Sequence, residues 1–273
     1  MYLLAGISKR LSRAAVVLFS LCIAAPLFAA SPVLDRIVER GELRVAMTGN
    51  QQPFSFRFGK KETLVGFDVD LAKEVARVMN VELEIVTLPF SDLIDALEAG
   101  QADMVISGMT ITAARTRGVS FVGPYVLSGK SLLINKRAPG KLKTPGNFNQ
   151  AGLKLAALSG STSESLVKER LPEVSLTAVA EYDAGISMLL DGKTDGMVAD
   201  LPILAYTKNR YPSEGLQLVM PPLTVEPMGI AIAMGDAQLE NYLRNYLLIF
   251  EKTGFLQRLY KKWFEGSTGD LYR

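Results

Sequence analysis

Met104 to Arg117 reads MVISGMTITAARTR. Its first three residues are a short apolar run of the kind that forms a buried strand. Gly108 then turns the chain, and Thr110, Thr112 and Arg115 follow. Thr112 sits where a helix N-cap would sit, which puts Arg115 at the third helical position. A cation is out of place at the positive end of a helix dipole. A bound anion would resolve the conflict, because N–H groups at a helix start attract anions and arginine grips a carboxylate or phosphate with two prongs. An exposed arginine beside an ordinary cap would give the same letters.

On either side of this stretch, short strands alternate with helices, which argues an α/β fold. Before it come a lead-in helix VLDRIVER stopped by Gly41, a strand ELRVAM and a turn-linked pair within PFSFRFGKKETLVGF. Next is a helix whose apolar residues Val69, Ala72, Val75, Ala76 and Met79 recur at helical spacing. LEIVTLP reads as a strand, and SDLIDALEAG as a helix capped by Ser91 and ended by Gly100. After it come a strand KSLLIN, a Pro/Gly-rich connector from Arg137 to Gln150, and a second alternating block from KLAALSG to LQLVM. The tail is a strand MGIAIAMG, a helix opened by Asp236 and a last short helix holding Trp263.

LEAGQADMVIS and LLDGKTDGMVAD echo each other: helix end, Gly, two residues, Asp, strand. The first strand ends at Ser107 and the second at Asp200. Ligands in open α/β sheets bind beyond the carboxyl ends of the strands. If two such units face each other, Ser107 and Asp200 point into one cleft.

Composition narrows the chemistry. The chain has 273 residues, 30 Lys and Arg, 28 Asp and Glu, one Cys and no His. Lys9, Arg10 and Arg13 precede the apolar run AAVVLFSLCIAAPLF, and small residues end it at Ala29-Ala30. Residues 1–30 thus read as a secretory signal peptide, too short and wrongly flanked for a membrane anchor. Leu21 before Cys22 is a poor lipoprotein box, so lipid anchoring is not expected. Removing the leader takes three basic and no acidic residues, leaving 27 against 28, net −1. That balance makes no electrostatic case for nucleic acid. The leader also carries the only cysteine. The remainder has no disulfide, thiol nucleophile, histidine-based triad or ordinary zinc site. No cofactor and no metal are expected. About 240 residues make one large domain or two of ordinary size.

GFDVDLAKEVARVMN, Gly66 to Asn80, resembles the signature of family 3 periplasmic solute-binding proteins, the amino-acid receptors of ABC importers. The likeness continues through Pro89–Tyr125, the SGST segment at Ser159–Thr162, ADLP at Ala199–Pro202 and GFLQRLYKKWF from Gly254. It covers nearly the whole chain after the leader. It implies a type II periplasmic-binding fold, with two α/β lobes joined by two crossing strands. Lobe one would be residues 31–126 plus 224–273 and lobe two 127–223, with hinges near Ser128–Lys130 and Pro221–Pro222.

The resemblance also assigns roles. Arg115 would pair with the ligand's α-carboxylate, helped from lobe two by Thr162 and backbone N–H groups around Ser161. Asp200 would pair with the α-ammonium, with Thr110 and the Gly108 carbonyl accepting from it. Phe90 would flank the side chain, with Phe54 nearby. Gln51 stands where the family has an aromatic, Thr48 where receptors for basic amino acids have an acid, and Gly123 where an Asp is usual. A pocket of Thr48, Gln51, Phe90 and Met109 suggests a neutral or polar side chain, and Ser107 is also placed at the site. Asp68, Asp70 and Trp263 read as structural. A periplasmic monomer serving a membrane permease is expected. The same fold also serves periplasmic cyclohexadienyl or arogenate dehydratases, for which Glu226 is the nearest candidate acid, and stand-alone sensory domains.

Overall fold

The computed structural model describes residues 33–136 and 147–265. The leader expected over residues 1–30 and most of the connector after Lys136 lie outside the described residues. The first lobe begins with α1 (Leu34–Arg40), β1 (Glu42–Met47) and β2 (Asn50–Gln51). The hairpin β3 (Ser55–Phe58) and β4 (Thr63–Val65) leads into α2 (Phe67–Met79), whose Val69, Ala72, Val75, Ala76 and Met79 are all buried. β5 (Glu82–Thr87), α3 (Leu93–Glu98), β6 (Met104–Val105) and β7 (Val119–Ser128) follow.

The second lobe holds β8 (Lys130–Asn135), β9 (Lys154–Leu158), α4 (Thr162–Arg170), β10 (Ser175–Val179) and α5 (Tyr182–Leu190). It continues with β11 (Gly196–Asp200), α6 (Leu201–Arg210) and β12 (Leu216–Leu218). The chain then returns through β13 (Glu226–Ala233), α7 (Ala237–Lys252) and α8 (Phe255–Tyr260).

Two five-stranded sheets carry the lobes, in the orders β5-β1-β6-β13-β7 and β10-β9-β11-β8-β12. In each, three parallel strands are joined by one antiparallel strand, β13 in the first and β8 in the second. This is the two-lobe type II architecture. β7 stays in the first sheet to Ser128 and β8 enters the second at Lys130, so the chain crosses at Gly129. It returns between Leu218 and Glu226. The two passages are stitched together: Lys130 N–H donates to Thr224 Oγ1 (2.9 Å) and Leu223 N–H to the Lys130 carbonyl (2.7 Å). Among the described residues, no helix is long and apolar enough to cross a membrane.

The sequence echo has a structural counterpart. Asp103 N–H donates to the Arg44 carbonyl and accepts Arg44 N–H on Oδ2, both at 2.9 Å. Asp195 does the same with Lys154, at 2.7 and 2.8 Å. Each aspartate thus pins the parallel strand beside it at that strand's start.

Two local expectations give way. Ser91 does not cap α3, because its hydroxyl donates to Asp92 instead (2.7 Å), and a 3₁₀ turn over Phe90–Asp92 opens the helix. Thr112 does accept Arg115 N–H (3.2 Å), as a cap would, but only the 3₁₀ turn Arg115–Arg117 follows. A single turn carries almost no macrodipole, so the helix argument for an anion at Arg115 falls, and its placement has to come from side-chain contacts.

Candidate functional site

The Ser107–Thr112 loop leaves β6 at its carboxyl end and is fastened along β13. Ile111 N–H donates to the Pro227 carbonyl (2.8 Å), Gly229 N–H to the Met109 carbonyl (3.0 Å), and Thr110 bridges Met228. Gly108 N–H donates to Tyr125 Oη (3.1 Å). From this anchored loop Arg115 reaches out. Its guanidinium donates to the Thr110 carbonyl (2.9 Å) and, across the cleft, to the Gly160 carbonyl (3.1 Å). It also lies 5.4 Å from the centre of the Phe90 ring, in range for a cation–π contact. Burial lowers its pKa, and the charges of Asp200 and Glu226 act against that.

Lobe two supplies the facing half. Ser161 is the N-cap of α4, accepting Glu164 N–H (3.3 Å) while donating to the Leu158 carbonyl (2.6 Å). Its hydroxyl is therefore occupied by the helix, which leaves backbone groups as its means of reaching a ligand. Thr162 Oγ1 stands 3.4 Å from Thr110 Oγ1 on the opposite lobe and donates to Glu226 Oε2 (3.1 Å). Asp200, at the end of β11, does not cap α6 with its side chain. Both its oxygens accept from Lys130 Nζ at 2.8 Å. Burial raises the Asp200 pKa, and Lys130 is the chief influence holding it down.

Lys130 is the residue that sequence reasoning placed only in a hinge. It is buried at the cleft floor, 3.9 Å from Glu226 Oε2 as well as bonded to Asp200. A lysine opening the otherwise apolar strand KSLLIN was the available signal. Tyr182 was also missed. It is buried within reach of the charges of Asp200 and Arg115, and burial pushes its phenol well up. Glu226 accepts from Thr162 and from Thr224 Oγ1 (2.8 Å), so its carboxylate lies among donors.

The remaining predicted residues form a polar group on lobe one. Thr48 N–H donates to Ser107 Oγ (3.2 Å), Ser107 Oγ donates to Gln51 Oε1 (3.3 Å), and Thr48 Oγ1 donates to the same oxygen (3.4 Å). Phe54 and Met109 are both buried beside this group. Phe54 is packed edge-on against Phe67 and Phe264, and Met109 is buried in the same core. Asp70 is structural as read: it accepts from Trp263 Nε1 (2.9 Å) and Lys262 Nζ (2.6 Å), tying α2 to the C-terminal helices.

The open space lies beside this cluster rather than over it. A cavity of 640 Å³ runs between the lobes, bordered by Thr48, Asn50 and Phe56 on one side and Glu181, Asp183 and Tyr206 on the other. Direct contacts between Arg115 and Gly160 and between Thr110 and Thr162 occupy the cleft's inner end. The arrangement can clamp a small zwitterion, with cation and anion on opposite lobes.

Known proteins share this architecture. Residues 43–266 match the bacterial extracellular solute-binding proteins, family 3. The glutamine-binding protein GlnH of a Bacillus subtilis ABC transporter is 30% identical over 203 residues, spanning 73% of this chain and 72% of that protein. Cyclohexadienyl dehydratase of Pseudomonas aeruginosa is 29% identical over 255 residues, spanning 92% and 93%. The crystal structure of AncCDT-1, an ancestral amino acid-binding protein and precursor of cyclohexadienyl dehydratase, superposes with a TM-score of 0.76 at 37% identity, over 85% of this chain and 98% of that one. The chain therefore belongs to the family 3 bacterial extracellular solute-binding proteins.

Proposed function

We propose that this chain is the periplasmic binding component of an ABC importer, capturing one amino acid between its lobes and delivering it to a membrane permease. The observation that carries the proposal is the opposition of Arg115 and Asp200 across the cleft, each within range of the other's charge. A free amino acid needs both its carboxylate and its ammonium satisfied once water is excluded. Arg115 would exchange its carbonyl partners for the α-carboxylate, turning neutral acceptors into a charged one. Asp200, Thr110 and the Gly108 carbonyl would take the α-ammonium, with Lys130 sharing the aspartate. Because the partners sit on different lobes, the ligand binds the closed form in preference to the open one, which is the condition for a ligand-driven switch. The binding names carried by relatives such as GlnH support this reading.

A dehydratase is the second reading, favoured by the likeness to the Pseudomonas aeruginosa enzyme. It needs a general acid in the cleft. Glu226 accepts hydrogen bonds from Thr162 and Thr224 and lies 3.9 Å from Lys130 Nζ, so its oxygens are already engaged by protein groups. A thermal-shift screen of amino acids on the wild type and Arg115→Ala separates the readings. Binding predicts stabilisation by one or a few amino acids that Arg115→Ala loses. Loss of prephenate or arogenate on incubation would make the protein an enzyme instead, and no amino-acid response would remove the binding reading.

A further inference from the structure

The lobes touch through groups of two kinds. Around the head-group residues the contacts are polar: Arg115 donates to the Gly160 carbonyl, and Thr110 Oγ1 stands 3.4 Å from Thr162 Oγ1. A bound amino-acid head would take over these same groups. The other kind is apolar. Phe56 on β3 of lobe one meets Tyr206 on α6 of lobe two, with ring centres 5.9 Å apart and planes tilted by 54°. Both rings border the inter-lobe cavity. Aromatic pairs attract one another at this separation.

Phe56 is held in place from behind. β3 lies in a small three-stranded sheet, β2-β3-β4, apart from the two large sheets. Phe56 is paired there with Asn50 on one side and Val65 on the other. Trp263 meets its ring edge-on, 6.0 Å away with planes at 88°, and Trp263 is itself fixed by its bond to Asp70 Oδ2 (2.9 Å). Phe56 is therefore buried, although the next two residues of the hairpin, Arg57 and Phe58, are exposed. Tyr206 is half-buried on the facing helix. A ring anchored in lobe one thus rests on a ring of lobe two, beside the space where a captured molecule would lie.

We infer that Phe56 and Tyr206 form a clasp between the lobes that sets how long a captured amino acid is retained. The inference rests on the proposed capture function. When a head group enters, the Arg115 and Thr110 contacts are exchanged for contacts to that head group, whereas the ring pair is not consumed. The loaded, closed protein is then held by the amino acid and by the clasp together. Opening has to separate the rings, and loading precedes their contact. The clasp therefore acts on release more than on capture, as interface contacts commonly do.

The test begins with a thermal-shift screen of the twenty common L-amino acids, keeping those whose shift Arg115→Ala abolishes. Release of each radiolabelled amino acid into an excess of the unlabelled form gives the off-rate, and calorimetry gives Kd and hence the on-rate. Tyr206→Ala and Phe56→Leu should each raise the off-rate by about three- to tenfold, the worth of one aromatic pair, with the on-rate held within about twofold. Tyr206→Phe keeps the ring and should release at the wild-type rate. The double variant should release no faster than the faster single one, because both changes break one contact. If Phe56→Leu does not fold, Tyr206→Ala set against Tyr206→Phe decides the matter. The inference is overturned if the folded variants keep the wild-type off-rate, if Tyr206→Phe is as fast as Tyr206→Ala, or if the two single effects multiply in the double variant. An effect confined to one of several bound amino acids would make the rings a wall of the ligand site and would also overturn it. If no amino acid binds in an Arg115-dependent way, the functional proposal fails, and this inference with it.

Discussion

Lys130 Nζ sits 2.8 Å from both carboxylate oxygens of Asp200, and the two residues are direct cross-strand partners between β8 and β11. The ion pair is therefore set by sheet register, at the point where one crossing strand enters lobe two. Both side chains are almost wholly buried. Removing one member of such a pair strands the other in a medium that does not solvate charge. Lys130→Met is expected to cost about 3–5 kcal/mol of folding stability in urea titrations. Lys130→Met combined with Asp200→Leu should recover most of that loss, since apolar replacement of a buried pair is commonly neutral. A single-variant loss below about 1 kcal/mol, the range of an exposed pair, would show that Asp200 has other sufficient support.

Arg115 behaves differently, because its present partners are neutral carbonyls on both lobes. Arg115→Lys keeps the charge but loses the planar fork that can hold a carboxylate in two places. Affinity for the preferred amino acid should fall by roughly 2–5 kcal/mol in Arg115→Ala and by less in Arg115→Lys. The urea midpoint without ligand should move little in either variant. Calorimetry and urea titration on the same preparations check both halves. A large loss of stability with unchanged affinity would make Arg115 a structural strut.

The strand and helix order could be read from period and punctuation alone, because α2 and the strands around it bury continuous apolar faces. The repeat was also legible: G-x-x-D recurs because Asp103 and Asp195 do the same job at the head of a neighbouring strand. What could not be read was contact across the cleft. Nothing local in SGKSLLIN says that Lys130 meets Asp200, which lies 70 positions away. The packing of Phe54 was hidden for the same reason. Its neighbours Phe67 and Phe264 come from α2 and the far C-terminus, and only the closed core shows that the ring turns inward. Thr112 carried a genuine cap signal. The chain after Arg117 nevertheless continues as β7, because β13 pairs antiparallel with Val119–Val122 and, past a bulge, with Val126–Ser128.

Asp68 gives the fold a pH dependence. It is wholly buried facing the Tyr125 hydroxyl and the Gly108 N–H, and burial raises its pKa from 3.8 to about 7. The unfolded chain releases this proton near the ordinary value, while the folded chain keeps it until neutrality. Stability from this group is thus complete below about pH 4 and falls as pH rises toward 7, by up to about 1.4 kcal/mol per unit. Asp68→Asn should flatten that fall and be more stable than the wild type at pH 8. Urea titrations of both proteins at pH 5 and pH 8 check it. An equal pH slope in both proteins would assign the effect to another group.

Gly66 opens the GFDVD signature for a steric reason. Its φ is 139°, and a Cβ there would lie 2.1 Å from the Phe54 carbonyl oxygen. That carbonyl accepts Asp68 N–H (2.9 Å), while Phe67 N–H donates to the Pro53 carbonyl (3.0 Å), so the start of α2 is pressed onto the segment below the cleft. Gly66→Ala can relieve the overlap only by breaking these bonds. A loss of at least about 3 kcal/mol is expected, at the high end for point mutants. A thermal unfolding midpoint close to the wild type would show that the approach is looser than described.

The matched aspartates allow the two lobes to be weighed separately. Asp195→Ala removes the acceptor for Lys154 N–H and should cost about 1–3 kcal/mol, the cost of a buried polar group left without its partner. Asp103→Ala should cost at least about 1–3 kcal/mol as well, because Asp103 also pairs with Arg40 and lies 3.7 Å from Arg36. Asn at either position keeps an oxygen for the strand N–H. Asp195→Asn and Asp103→Asn should therefore each be milder than the matching Ala variant. The sites lie in separate sheets, so the double Ala variant should equal the two single losses combined within about 0.5 kcal/mol. Urea titration of all three Ala variants checks this. A coupling well above 1 kcal/mol would mean that the lobes unfold as one unit and that damage at one strand head reaches the other through the β7–β8 crossing.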